Sequence, residues 1–417
     1  MEIRVKGGGS LSGEVKLQPS KLYTQFLSVL AFLGEGRGVV RGPLAVRDTL
    51  PLLRELEKLG ATLNRGPREW TIWGTGGKVE PKGSVLEAGN SGTVFGMLVG
   101  LASLSSRVLV VTGDAQLRRR SMFPLLRMFR VLGGDLSSAG SGGTPPFIVF
   151  GRGLRGGRVE GVEPPELFPL LLVSPFTGEG VEAEVGWEGE RMLEILKGAG
   201  ARISGKGRRI RISPGGLKPQ ILTVPPSFYS AAPFMLASLL TDSKLVFKGE
   251  GEGEGVPFLR LLQEMGVGLV RGGGGWRVRG GPKGARLDLS GRAELFPYAA
   301  VLASLAEGKT VFRGLSRARE MKSDRLSLTV ENLRRMGARV SREGEGVVVE
   351  GGRKLKGARV KGGNDYAVVA AFVAAGLAAE GETVVVEGPR ALRTSYSGFL
   401  SEWRRLGAEV EVGEAWG

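Results

Sequence analysis

One local pattern recurs six times along the chain and restricts its fold more than any other feature. An amphipathic helix ends in an apolar residue, one or two small residues follow, and then a strand-like segment begins. Glu55-Leu56-Glu57-Lys58-Leu59-Gly60-Ala61 is the first copy, Asn332-Leu333-Arg334-Arg335-Met336-Gly337-Ala338 the fifth and Glu402-Trp403-Arg404-Arg405-Leu406-Gly407-Ala408 the last. The aligned glycines are Gly60, Gly133, Gly200, Gly266, Gly337 and Gly407, at intervals of 73, 67, 66, 71 and 70 residues. Each stands where a helix C-cap with positive φ is expected. One Leu-Gly-Ala is cheap to find, but six at near-constant spacing read as an internal repeat.

Within each unit an apolar segment precedes that helix, as in 26–33, 94–104, 167–173, 231–240, 297–305 and 368–377. Short β-branched runs such as Val108-Leu109-Val110-Val111 and Thr383-Val384-Val385-Val386 lie between the two. Each unit of ~70 residues is therefore expected to be β-α-β-α-β-β. A chain of 417 residues suggests two or three domains at ~150 residues each. Six repeats packed three and three predict two similar α/β domains with a ligand cleft between them.

Composition narrows the chemistry. The chain has no cysteine, which excludes disulfides, zinc-thiolate sites and cysteine nucleophiles. It has no histidine either, so proton transfer falls to Asp, Glu, Lys or Tyr. The formal net charge of +16 suits an anionic partner. The longest apolar run, 367–379, is too short to span a bilayer. The start, Met1-Glu2-Ile3-Arg4-Val5-Lys6, lacks the apolar stretch of a signal peptide, so a cytoplasmic protein without membrane contact is expected.

Several segments carry a resemblance. Gln18-Pro19-Ser20-Lys21-Leu22-Tyr23-Thr24-Gln25-Phe26, Gly89-Asn90-Ser91-Gly92-Thr93 and Gly113-Asp114-Ala115-Gln116-Leu117-Arg118-Arg119-Arg120 are three of them. Arg319-Glu320-Met321-Lys322-Ser323-Asp324-Arg325-Leu326 and Arg393-Thr394-Ser395-Tyr396-Ser397-Gly398-Phe399 are two more. In order and over nearly the full length, the sequence resembles the enolpyruvyl transferases, specifically archaeal-type 5-enolpyruvylshikimate-3-phosphate synthases. The resemblance implies a two-domain inverse α/β barrel, six β-α-β-α-β-β repeats with three per domain. It implies a first domain of residues 1–19 plus 228–417 and a second of residues 20–227.

The activity so implied is enolpyruvyl transfer from phosphoenolpyruvate to the 5-hydroxyl of 3-phosphoshikimate, releasing phosphate. The family chemistry uses neither metal nor organic cofactor, and its default state is a monomer. Catalytic roles would fall to Lys21, Glu294 and Lys322. Substrate binding would fall to Lys21, Asn90, Ser91, Gly92, Thr93, Arg120, Arg319, Arg325 and Arg393. Arginine suits such clamps because its planar fork bonds two oxygens at once.

Other family positions are changed. The family's arginine that pairs with the shikimate carboxylate is replaced by Phe26, the arginine that ends its N-[AS]-G-T-x-x-R turn by Gly96, and Leu22 stands for a serine. A phosphate-binding trio aligns with Pro164, Pro165 and Glu166, a C-terminal lysine with Thr394, and an Asp-His-Arg motif with Asp365-Tyr366-Ala367. Two readings stay open on these residues: a working synthase, or a divergent paralogue that binds another anion or is non-catalytic. Nucleic-acid binding rests only on basic clusters such as Arg118-Arg119-Arg120, with no interleaved aromatics to stack bases, and is set aside. Among smaller signals, Gly272-Gly273-Gly274-Gly275 reads as a hairpin turn and Asp324 as a carboxylate that holds an arginine in place. Tyr396 fits a core aromatic as well as a ligand contact.

Overall fold

The computed structural model describes residues 1–249, 256–396 and 398–413. The chain divides into two compact units. A discontinuous unit comprises Met1–Gln18 and the chain from Pro225 onward, and a contiguous unit comprises Pro19–Val224. Pro225 to Ser227 thus belong to the discontinuous unit, three residues earlier than the sequence suggested, and Pro19 belongs to the contiguous one. Ser227 anchors them: its N–H donates to the Gln18 carbonyl at 2.8 Å and its side chain caps the helix Phe228–Leu240.

Each unit holds three four-stranded sheets. In the contiguous unit the middle repeat shows the plan. Strand Val85–Glu87 leads to helix Gly92–Leu104, strand Leu109–Thr112, helix Phe123–Val131 and the strands Leu136–Ser138 and Phe147–Val149. The first two strands pair in parallel and the rest antiparallel. Of the two helices, the first is apolar all round and enters the core, whereas the second is amphipathic and covers the sheet. The core helices Lys21–Leu33, Gly92–Leu104 and Pro164–Val173 pack on one another. In the discontinuous unit Phe228–Leu240, Phe296–Leu305 and Tyr366–Ala378 do the same.

The six marked glycines all have positive φ, between 78° and 113°. At every one the following N–H bonds back five residues, as from Ala61 to the Leu56 carbonyl at 3.0 Å and from Ala338 to Leu333 at 2.9 Å. That is the Schellman closure, which only glycine adopts without a Cβ penalty. Gly273 and Gly274, with φ of 61° and 74°, form the tight turn between strands Gly268–Gly272 and Gly275–Arg279.

Three repeats depart from the plan: the fourth takes its parallel strand, Ser12–Lys16, from before the contiguous unit and pairs it with Lys244–Lys248, and two others depart where a unit closes on itself. The parallel strand of the first repeat is Ile221–Thr223, the last strand of its unit, paired with Glu35–Arg41. In the sixth repeat the N-terminal strand Glu2–Lys6 lies between Glu382–Val386 and Val410–Gly413, antiparallel to both. Among the described residues no helix is long and apolar enough to cross a membrane.

Candidate active site

Two core helices carry candidate residues at their starts, Lys21 in one and Asn90 to Thr93 in the other. In the contiguous unit Ser20 caps Lys21–Leu33, its side chain accepting from the Tyr23 N–H at 3.0 Å. Such a cap satisfies one of the orphan donors of a helix start. Lys21, the first helical residue, reaches Asp48 with Nζ to Oδ2 at 3.0 Å. Asp48 is buried, and its own carbonyl accepts from the Gln25 amide at 2.9 Å. Lys21 is thus aimed by a carboxylate that no local pattern of the sequence singled out.

Ser91 caps Gly92–Leu104 in the same manner, accepting from the Val94 N–H at 3.2 Å. Gly89, with φ of 59°, makes the turn that precedes it. Asn90 is gripped from two sides: Arg120 donates to its side-chain and main-chain oxygens, and its own amide donates to Gln116. Arg120 leaves a short 3-10 turn, Leu117–Arg119, and Asp114 just before it accepts from the Gln116 and Leu117 N–H groups at 3.0 and 2.8 Å. Asn90, Ser91 and Arg120 therefore form one cluster, with Gly92 and Thr93 opening the helix beside it.

The altered positions of this unit are built into its packing. Phe26 is fully buried in the core. A side chain on Gly96 would place its Cβ 3.2 Å from Pro169 Cγ and 3.4 Å from Leu125 Cδ1, so this helix pair has closed over the arginine's place. Glu166 is buried in the first turn of Pro164–Val173, where a carboxylate faces the positive helix end. Ser397 and the side chains of Pro164, Pro165 and Thr394 lie outside the described residues.

In the discontinuous unit the centre is a forked ion pair. Arg325 donates from Nε to Asp365 Oδ2 at 2.7 Å and from Nη2 to Oδ1 at 2.9 Å. Its Nη1 donates to the Glu294 carbonyl at 3.1 Å. Asp365 also accepts from Ser323 Oγ at 3.2 Å and from the Ala367 N–H at 3.0 Å, capping Tyr366–Ala378. Burial pushes the Asp365 carboxyl up, but Arg325, aided by Lys322, outweighs it and holds the group below the ordinary 3.8. Arg325 is correspondingly raised: burial opposes its charge and Asp365 restores it.

This corrects the expectation for Asp324. Its carboxylate accepts from the Ser327 N–H at 2.8 Å and caps helix Arg325–Arg335, whereas Asp365, 40 residues away, holds the arginine. Glu294 lies half-buried in the 3-10 turn Ala293–Leu295, and Lys322 is half-buried near Asp365. Arg319 and Arg393 are exposed. Tyr396 is buried against Phe234 and Phe399, and its phenol, pushed up to about 12 chiefly by burial, is hydrogen-bonded to Gln18.

Each unit thus presents a fixed cation beside a helix start: Lys21 with Arg120 in one, Arg325 in the other. Preorganised cations and helix N-termini are the components of an anion site. The family model described as EPSP synthase (3-phosphoshikimate 1-carboxyvinyltransferase) matches residues 5–403. A 3-phosphoshikimate 1-carboxyvinyltransferase of Aeropyrum pernix is 34% identical over 97% of this chain and 95% of its own. That of Methanothermobacter thermautotrophicus is 32% identical over 90% and 92%. The solved EPSP synthase of Acinetobacter baumannii covers 99% of this chain and 100% of its own, with a TM-score of 0.78 at 25% identity. Sixfold repeat, paired helix-start cations and full-length similarity have one common account: the chain belongs to the EPSP synthase family.

Proposed function

We propose that the chain transfers the enolpyruvyl group of phosphoenolpyruvate to the 5-hydroxyl of 3-phosphoshikimate, releasing phosphate. The observation that carries this reading is the family match over residues 5–403, supported by relatives named for that reaction over nearly their whole length. Lys21, Arg120 and Arg325 take the carboxylate and phosphate of phosphoenolpyruvate, for which forked guanidinium groups are suited. Glu294 accepts the proton of the attacking hydroxyl, and Lys322 delivers a proton to the methylene carbon. The carbon–oxygen bond to phosphate then breaks and a methyl proton leaves, restoring the double bond in the product.

Asn90, Ser91, Gly92 and Thr93 supply polar groups and main-chain donors at a helix start for the acceptor. Arg319 and Arg393, being exposed, raise the local concentration of both anions. With Phe26 absorbed into the core, acceptor binding lacks a cation for the shikimate carboxylate, so the working protein is expected to hold 3-phosphoshikimate weakly. We assign it as a cytoplasmic monomer.

Phosphate release with both substrates is the direct test. Release that requires both, and that falls roughly 10²–10³-fold in Lys21→Met, is the expected result. No release above background at saturating concentrations of both sinks the proposal. The divergent-paralogue reading would then stand, and calorimetric titration with other phosphorylated anions would follow.

A further inference from the structure

Ser20, Ser91, Ser227 and Asp365 each cap the core helix that follows them. Helix Phe296–Leu305, just beyond Glu294, has no capping side chain among the described residues. It is entered through the 3-10 turn Ala293–Leu295. The Leu295 N–H closes that turn on the Arg292 carbonyl at 3.0 Å, and the Phe296 N–H bonds the Ala293 carbonyl. Hydrogen bonds in such a turn are poorer than in an α-helix, so the entry needs an anchor.

Arg292 supplies one. Its guanidinium forks onto Glu264, with Nη1 2.8 Å from Oε1 and Nη2 donating to Oε2 at 2.9 Å. Its Nε donates to the Asp288 carbonyl at 2.9 Å. Only 13% of the Arg292 side chain is exposed, which separates it from the solvated ion pairs of the surface. Two parallel bonds fix the direction of a guanidinium as well as its place. Glu264 ends the helix Val256–Glu264 of the preceding repeat, where an acid opposes the helix dipole. Among the six residues that stand two before a marker glycine it is the only acid, and Arg335 and Arg405 hold that place in the last two repeats. Glu264 thus breaks a local rule and gains Arg292. From the other side Arg325 donates to the Glu294 carbonyl at 3.1 Å. The turn is held by Arg292 where it starts and by Arg325 at Glu294 itself.

We propose that Arg292 is a positioning residue: clamped to Glu264, it fixes the turn from which the Glu294 carboxylate meets the substrate hydroxyl. The inference rests on the enolpyruvyl-transfer reading, in which Glu294 accepts the hydroxyl proton. Such a group tolerates little displacement, since a shift of about 1 Å costs roughly 10²-fold in rate.

The chain has no cysteine, so Glu294→Cys creates a single attachment point for a nitroxide. Its electron paramagnetic resonance line shape reads local mobility without any turnover. Glu264→Gln is the decisive second change, because it alters no atom of the turn. In the Glu264→Gln and Arg292→Ala backgrounds the label at 294 should become more mobile. A label at exposed Lys354, on the same unit, should not change. In chains that keep Glu294, kcat for phosphate release should fall about threefold in Glu264→Gln and about tenfold or more in Arg292→Ala. Arg292→Lys, which has no fork, should fall between wild type and Arg292→Ala, and KM for both substrates should hold throughout. A label at 294 that is unmoved in both backgrounds overturns the inference. So does greater mobility at 294 and 354 together, which reports general loosening, and so does unchanged kcat in variants whose label at 294 loosens. Absence of phosphate release from wild type would count against the proposed reaction, and the label at 294 would still decide whether Arg292 holds the turn.

Discussion

At the scale of single residues, the Arg325–Asp365 fork is a buried ion pair joined by two hydrogen bonds. Asp365 is fully buried and holds four donors, and removing it leaves a buried guanidinium with no counter-charge. Asp365→Ala is expected to lower stability by about 3–5 kcal/mol, read as the shift of a urea midpoint. The wild-type pair also sets an acid limit. The Asp365 carboxyl is depressed in the folded chain, so its contribution is complete above the ordinary value of 3.8 and is lost as pH falls through the lower folded value. Acid melts of wild type and Asp365→Asn should therefore converge below pH 3.8; curves that stay parallel would contradict this. The pair also marks where reading the sequence ran short. Asp324 stands next to Arg325 and drew the assignment, while Asp365 sits 40 residues on and reaches it only through folding. Asp48 is the same case, 27 residues from Lys21 with no motif around it.

At the scale of elements, what was legible was what is local. The Schellman glycines were placed correctly at all six helix ends because a C-cap is decided by a few neighbouring residues. The core helices were legible as apolar runs for a similar reason. What could not be read was how closely they approach. Gly100 is in the middle of Gly92–Leu104, and a Cβ there would lie 2.9 Å from Val173 Cγ1 and 3.2 Å from Phe129 Cζ. Nothing in its immediate sequence says that two other helices meet it. Gly100→Ala should cost about 1–3 kcal/mol through overpacking, although alanine favours a free helix over glycine. A melting temperature at or above wild type would mean the three-helix packing is looser than described.

At the scale of the molecule, the two units differ in how the chain supplies them. The contiguous unit is one uninterrupted segment with its own core, closed by the pairing of Ile221–Thr223 with Glu35–Arg41. A fragment of residues 19–224 is expected to fold alone, with cooperative melting and native-like circular dichroism. A fragment that stays unfolded would show that its core is insufficient by itself. The period of the repeat was visible in the glycine spacing, yet both closures were not, since each joins a strand to a partner far away along the chain. Strand Glu2–Lys6, seated between Glu382–Val386 and Val410–Gly413, is the extreme case. Its consequence is one of timing. During synthesis this strand leaves the ribosome well before either neighbour, because the whole contiguous unit is made in between. The contiguous unit can settle while translation continues, whereas the other must keep an open sheet position until Glu382–Val386 and Val410–Gly413 have both emerged.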